Sequence, residues 1–234
     1  MDRSKIETKR VFAIVGHAQT GKTTLSEYLL FKTKGTNRLG KVEEGTTVSD
    51  FDPEEIERKS SINASFLFSE YKNCFLQFID TPGYLDFIAE SIASLKNVDA
   101  SIMVLDAQYP VEVGTEKMWE LIQKFNLPCV FFINKLDKEN TDFSNALNTL
   151  KENLTKNILP LYIPIGKEQN LQKVASVLDK SSPEAEKFYI QALESIAETD
   201  DALLEKYLGG EEITSQELKG AFKKAFIERK VYPV

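Results

Sequence analysis

Histidine, cysteine and uncompensated positive charge are all scarce in this chain. It holds one histidine, two cysteines, one tryptophan and three methionines in 234 residues. Cys74 and Cys129 each sit inside an apolar run, 73–80 and 128–134, which fits buried, reduced thiols rather than a disulfide or a metal clip. No run of about 18 apolar residues occurs, so no membrane-spanning helix is expected. Lys and Arg number 29 against 36 Asp and Glu, a net charge of −7, so bulk electrostatic binding of nucleic acid is not expected and no sequence-specific contact to it is foreseen. Residues 1–10 are charged and carry no apolar leader core, and the expected compartment is the cytoplasm.

What is present suits a soluble globular chain: 42% hydrophobic and 28% charged residues, and a length that allows one large α/β domain or one domain with a small appendage. Residues 11–15 form a short apolar strand, 16–21 a glycine-bounded loop, and 22–32 a helix with Leu25, Leu29 and Leu30 on one face. Residues 35–61 lack periodicity and read as a long loop. Strands are predicted at 64–70 and 73–79 with a turn at Tyr71 and Lys72, then at 100–105 and 129–133. Helices are predicted at 85–95, 112–125 and 142–154. Strands alternating with helices imply a mostly parallel sheet covered on both faces. Beyond it, 161–165 reads as a strand, 167–182 as polar and patternless, and 183–208 as one long helix stopped at Gly209 and Gly210. A further helix at 215–228 starts with a capping box at Thr214 and Glu217, and 231–234 is the start of a strand.

Three motifs carry chemistry. Gly16, His17, Ala18, Gln19, Thr20, Gly21, Lys22 and Thr23 match the phosphate-binding loop, with Thr24 following on the helix. The glycines let the backbone wrap so that successive N–H groups point at phosphate oxygens, and the helix adds its positive end. Lys22 places charge on the β- and γ-phosphates, and the Thr23 hydroxyl is a Mg²⁺ ligand. Asp80 follows an apolar strand and can reach a Mg²⁺ shell. Three residues later Gly83 frees a backbone N–H for a γ-phosphate. Asn134, Lys135 and Asp137 follow the strand at 129–133. A carboxylate there can accept from both N1–H and the 2-amino group of guanine, a pair that adenine lacks.

In this order, the motifs resemble the first, third and fourth boxes of the GTPase superfamily. Gly16 with His17, and the run from Asp80 to Gly83, are similar to the translational GTPases. The stretches 114–119, 161–166 and 204–212 resemble elongation factor G and its paralogues, the elongation factor G-like proteins, over nearly the whole chain. The resemblance implies a P-loop G domain at 1–160, a mainly helical G′-like insert at 161–228, and the start of the last G-domain strand at 229–234. It implies GTP and GDP as ligands, Mg²⁺ as cofactor, GTPase activity, the ribosome as partner of the intact protein, and a monomer. It also implies that the chain stops before the fifth box, which steadies the guanine, so that nucleotide affinity and hydrolysis are expected to be weakened.

Two departures from the family pattern stand out. In switch I, 57–62 replaces the family's usual core, and Ser61 falls where a threonine touches Mg²⁺ and the γ-phosphate, keeping a hydroxyl. After Asp-Thr-Pro-Gly the translocating factors carry a histidine that orients the attacking water. Here Tyr84 stands there, as in the paralogues, and the only histidine is His17. A phenol can hydrogen-bond a water but offers no charge near neutral pH. Tyr84 therefore reads either as a catalytic group, with Lys22 and Gly83, or as a packing residue at a helix start. His17 reads as a loop-packing residue. The alternative to a slow GTPase is a guanine-nucleotide sensor that hardly hydrolyses. For the insert, a plain helical decoration and a surface facing ribosomal stalk proteins both remain open.

Overall fold

The computed structural model describes residues 6–179 and 182–234. The leaderless reading of 1–10 therefore falls partly on residues outside the described ones, as does the polar stretch 167–182 at positions 180 and 181. The chain divides into two compact units, Met1–Leu105 with Glu112–Leu127, and Asp106–Val111 with Pro128–Val234.

In the first unit the strands and helices run β1 (Lys9–Val15), α1 (Lys22–Lys32), α2 (Pro53–Arg58), β2 (Ser65–Tyr71), β3 (Cys74–Asp80), α3 (Ile88–Leu95), β4 (Ala100–Asp106) and α4 (Val113–Lys124). The strand order is β2-β3-β1-β4. β1 pairs in parallel with β3, Ile14 opposite Asp80, and in parallel with β4, Val15 opposite Met103, while β2 and β3 form an antiparallel hairpin. This is the expected α/β class with a mostly parallel sheet. The central part of the parallel strands is apolar, and Ala13, Ile14, Val15, Met103, Val104 and Leu105 are fully buried. The predicted leucine face of α1 closes the core: Leu25, Leu29 and Leu30 pack with Ile14, Leu67, Phe78 and Val104, and Phe12 stacks on Phe78 with centroids 5.4 Å apart.

Three sequence expectations shift here. The hairpin turn lies at Lys72 and Asn73, one residue later than expected. Both have left-handed backbone (φ 45° and 61°), the pair that a two-residue hairpin requires. The stretch 35–61 holds a 3-10 turn at Val42–Glu44 and the helix α2, which opens on Pro53 and has a full capping box between Asp52 and Glu55. The helix predicted at 85–95 begins as a 3-10 turn, Leu85–Phe87, before α3.

In the second unit come β5 (Cys129–Asn134), α5 (Phe143–Asn153), β6 (Ile158–Leu159), β7 (Tyr162–Ile165), β8 (Lys173–Ser176), α6 (Pro183–Ala197), α7 (Asp201–Leu208), α8 (Ser215–Ile227) and β9 (Tyr232–Pro233). β6 pairs in parallel with β9, and β7 pairs antiparallel with β8, a strand absent from the sequence reading. The single helix expected over 183–208 is two helices. Asp200 leaves helical geometry and caps α7 by accepting from Leu203 N at 3.4 Å, which ends α6 at Ala197. The apolar faces of α6, α7 and α8 meet β7 and β8 in one core containing Ile163, Val177, Ile196, Leu203 and Leu218. Both cysteines are free, Cys129 buried and Cys74 only partly so. No helix among the described residues is long and apolar enough to cross a membrane.

Candidate functional site

The first unit holds the phosphate-loop group. β1 ends at Val15 and the chain turns at Gly16 (φ 149°), where a Cβ would fall on the Val104 carbonyl oxygen, so no larger residue fits. Gln19 (φ 61°) and Gly21 (φ 96°) complete the wrap, and Gly21 is the N-cap of α1. The His17 carbonyl is the hub of the loop: it accepts from Lys22 Nζ at 2.7 Å and from Thr20 Oγ1 at 3.1 Å. The His17 ring lies against Gly114, which has no room for a Cβ, and its Nε2 is 3.4 Å from Glu112 Oε2. Ala18 is partly buried within the loop, while Thr24 is exposed on α1.

Lys22 is buried in this loop. Desolvation pulls its ammonium down to about 8, against the opposing pull of Asp80 and then Asp50. At the end of β3, Asp80 is 1% exposed, and burial pushes its carboxyl up to about 6. The Thr23 hydroxyl and Lys22 only partly offset that burial, and neither carboxylate oxygen meets a donor at hydrogen-bond geometry. Gly83 sits so close to the phosphate loop that a Cβ would fall on Lys22 Nζ and the His17 carbonyl. Tyr84 is 40% exposed, and its hydroxyl is 3.5 Å from Gln19 Nε2.

Ser61 arrives from the switch I stretch. Its Oγ is 3.1 Å from Thr23 Oγ1. Two buried carboxylates fix the stretch by accepting from backbone amides. Glu27 takes Gly40 N at 3.2 Å and Val48 N at 2.7 Å, and Glu55 Oε1 takes Ile62 N and Asn63 N, each at 2.9 Å. Asp50, which the sequence reading passed over as part of a charged loop, is buried, and desolvation raises its carboxyl, the Ser61 hydroxyl and Lys22 opposing. Both Asp50 oxygens also lack a donor. Among the described residues no three His, Cys, Asp or Glu side chains gather into a cage. The donor set is instead two bare carboxylates and two hydroxyls, all hard oxygens. Such a set fits a hard divalent cation such as Mg²⁺.

The second unit holds the group at Asn134, Lys135 and Asp137. Asn134 ends β5, its carbonyl accepts from Ala107 N at 2.9 Å, and Lys135 (φ 62°) turns the chain. Lys135 Nζ is 2.8 Å from Asp106 Oδ2, and Asp106 Oδ1 accepts from Gln108 N at 2.9 Å. Asp106, Gln108, Lys135, Asp137 and Lys138 line a cavity of about 580 Å³. Its rim is pinned by Thr141 Oγ1, which donates to the carbonyls of Leu136 and Lys138, and by Asn140 N, which donates to Glu168 Oε1 at 2.8 Å. Asp106 was not found from sequence. Its place at the end of a strand was the available signal.

The family described as the elongation factor Tu GTP-binding domain matches residues 7–224. Elongation factor G of Thermotoga neapolitana is 37% identical over 246 residues, covering 96% of this chain and 35% of its own length. The crystal structure of a protein from Thermus thermophilus is similar with a TM-score of 0.90 and 34% identity, over 96% of this chain and 36% of that one. The chain thus spans about a third of the length of the curated relative it matches.

Proposed function

Because the chain belongs to the family of elongation factor Tu GTP-binding domains, we propose that it binds GTP and GDP with Mg²⁺, hydrolyses GTP slowly, and serves translation at the ribosome. The observation that carries this reading is Asp80, a buried carboxylate without a donor beside Thr23 and Lys22. Such a group calls for a cation. Thr23, Ser61 and Asp80 would hold a Mg²⁺ ion, which would supply neutralising charge for the phosphates when bound.

The chain's own residues do the remainder. The backbone of Gly16 to Thr24 wraps the phosphates. Lys22 gives up the His17 carbonyl for β- and γ-phosphate oxygens and stabilises the charge that develops there. The Gly83 N–H meets the γ-phosphate. A water attacks the γ-phosphorus, the bond to the bridging oxygen breaks, and GDP and phosphate result. Tyr84, beside Gln19, orients that water through its hydroxyl. Without an imidazole's charge it does so weakly, hence the slow rate. Asn134, Lys135 and Asp137 select guanine, with Asp137 accepting from N1–H and the 2-amino group. In this reading residues 1–160 are the nucleotide domain, 161–228 a mainly helical insert and 229–234 the start of the domain's last strand, and the chain acts as a monomer in the cytoplasm.

Titration with fluorescent GDP and GTP tests the reading. Binding is expected to resist competition by ATP and to weaken at least about tenfold when EDTA removes Mg²⁺. No binding, or displacement by ATP, overturns it. Tyr84 also favours a second reading, a nucleotide sensor with little turnover. Tyr84→His is expected to raise single-turnover hydrolysis by about 10- to 100-fold. An unchanged rate removes Tyr84 from the catalytic reading and leaves the sensor.

A further inference from the structure

We propose that Asp106 is a positioning residue for guanine specificity: it holds the Lys135 ammonium so that the Asp137 carboxylate stays free to read the base. The inference rests on the reading of Asp137 as the guanine acceptor. Lys135 and Asp137 lie two residues apart in one turn and line the same cavity as Asp106. A long ammonium side chain so close to a carboxylate would ordinarily pair with it, and the carboxylate would lose acceptor capacity. Among the described residues, however, no cation pairs with Asp137, and the Lys135 ammonium is engaged elsewhere.

The engagement is well made. Lys135 Nζ and Asp106 Oδ2 are 2.8 Å apart, with side chains 32% and 17% exposed, so solvent screens the pair only in part. Asp106 cannot easily swing away, because its other oxygen accepts from Gln108 N at 2.9 Å. The two backbone segments are joined by the Ala107 N to Asn134 O bond, which fixes the distance the lysine must span. Left-handed backbone at Lys135 (φ 62°) sets the direction in which its side chain leaves the strand end. Asp106 therefore draws the positive charge off the base acceptor and holds the lysine stem as a fixed apolar surface in the cavity.

Inosine diphosphate lacks only the 2-amino group, so the ratio of GDP to inosine diphosphate affinity reports how well Asp137 accepts. Asp106→Asn keeps the acceptor for Gln108 N and removes the charge. It is expected to weaken GDP about tenfold while changing inosine diphosphate by less than about threefold. In a Lys135→Met background, Asp106→Asn is expected to have no further effect, whereas structural damage would weaken both ligands alike and add to the Lys135→Met loss. Asp137→Ala, measured beside them, is expected to erase the preference for GDP. If it does and Asp106→Asn leaves the ratio unchanged, the role of Asp106 is overturned alone. If Asp137→Ala leaves the preference intact, the guanine reading falls first.

Discussion

Asp80 is held in a state that the ligand-free chain does not favour. Its carboxyl binds a proton more tightly in the folded chain, about 6 against an ordinary 3.8, because it is desolvated. The folded state then holds more protons than the unfolded one between those values, so the stability of the ligand-free chain falls as pH rises from about 4 to about 6 and stays lower above. Asp80→Asn removes the buried charge and keeps the shape. It is expected to raise ligand-free stability at neutral pH by about 1–2 kcal/mol, less than the whole desolvation cost because Lys22 loses its main opposing charge. The same variant is expected to lose Mg²⁺-dependent nucleotide affinity. Denaturant melts with and without Mg²⁺ and GDP check both halves. A variant less stable than the parent would show that Asp80 is satisfied in the empty chain.

At the scale of elements, α8 shows a helix start written twice, in sequence and in contacts. Glu217 N meets Thr214 Oγ1 at 3.2 Å, Thr214 N meets Glu217 Oε2 at 2.9 Å, and Lys206 Nζ reaches Glu217 Oε1 at 2.5 Å. The lysine first, then the Thr214 amide and hydroxyl, hold the Glu217 carboxyl down at about 2. A lowered carboxyl contributes stability that is present above its unfolded value of about 4.5 and is lost as pH falls toward 2. Once corrected for the intrinsic pH dependence of exchange, the protection factors of the α8 amides are therefore expected to fall between about pH 4.5 and 2 in the parent, and to fall less in Glu217→Gln. That capping box was legible in the sequence, as were the phosphate loop, the Asp80 turn and the Asn134 turn, because each needs fixed residue types at fixed spacing. The break between α6 and α7 was not legible. Leu193, Ile196, Leu203 and Leu204 keep helical spacing across it, and the one signal was the cap at Asp200. Nor were Glu27, Glu55 and Asp50 recognised as buried. A carboxylate looks like surface until the backbone amides or the cation that it serves are in place, and for Glu27 those amides lie 13 and 21 residues away.

For the whole molecule, charge and packing separate two tasks. The net −7 disfavours non-specific attraction to polyanions. In the proposed reading, the phosphates of one small ligand would instead meet a buried cation, Lys22, and oriented backbone. Each unit has its own apolar core, one around Phe78 and Ile14, the other around Ile196 and Val177. The first unit also carries poorly compensated buried charge at Lys22, Asp50 and Asp80, and a ligand that binds there would stabilise the folded state by mass action. A hundredfold excess over the dissociation constant adds about 2.7 kcal/mol to the folded state. If the chain binds guanine nucleotide as proposed, its lifetime against proteases is expected to follow its supply of nucleotide. Scarcity of the ligand would then shorten the life of each copy through turnover of the unfolded state.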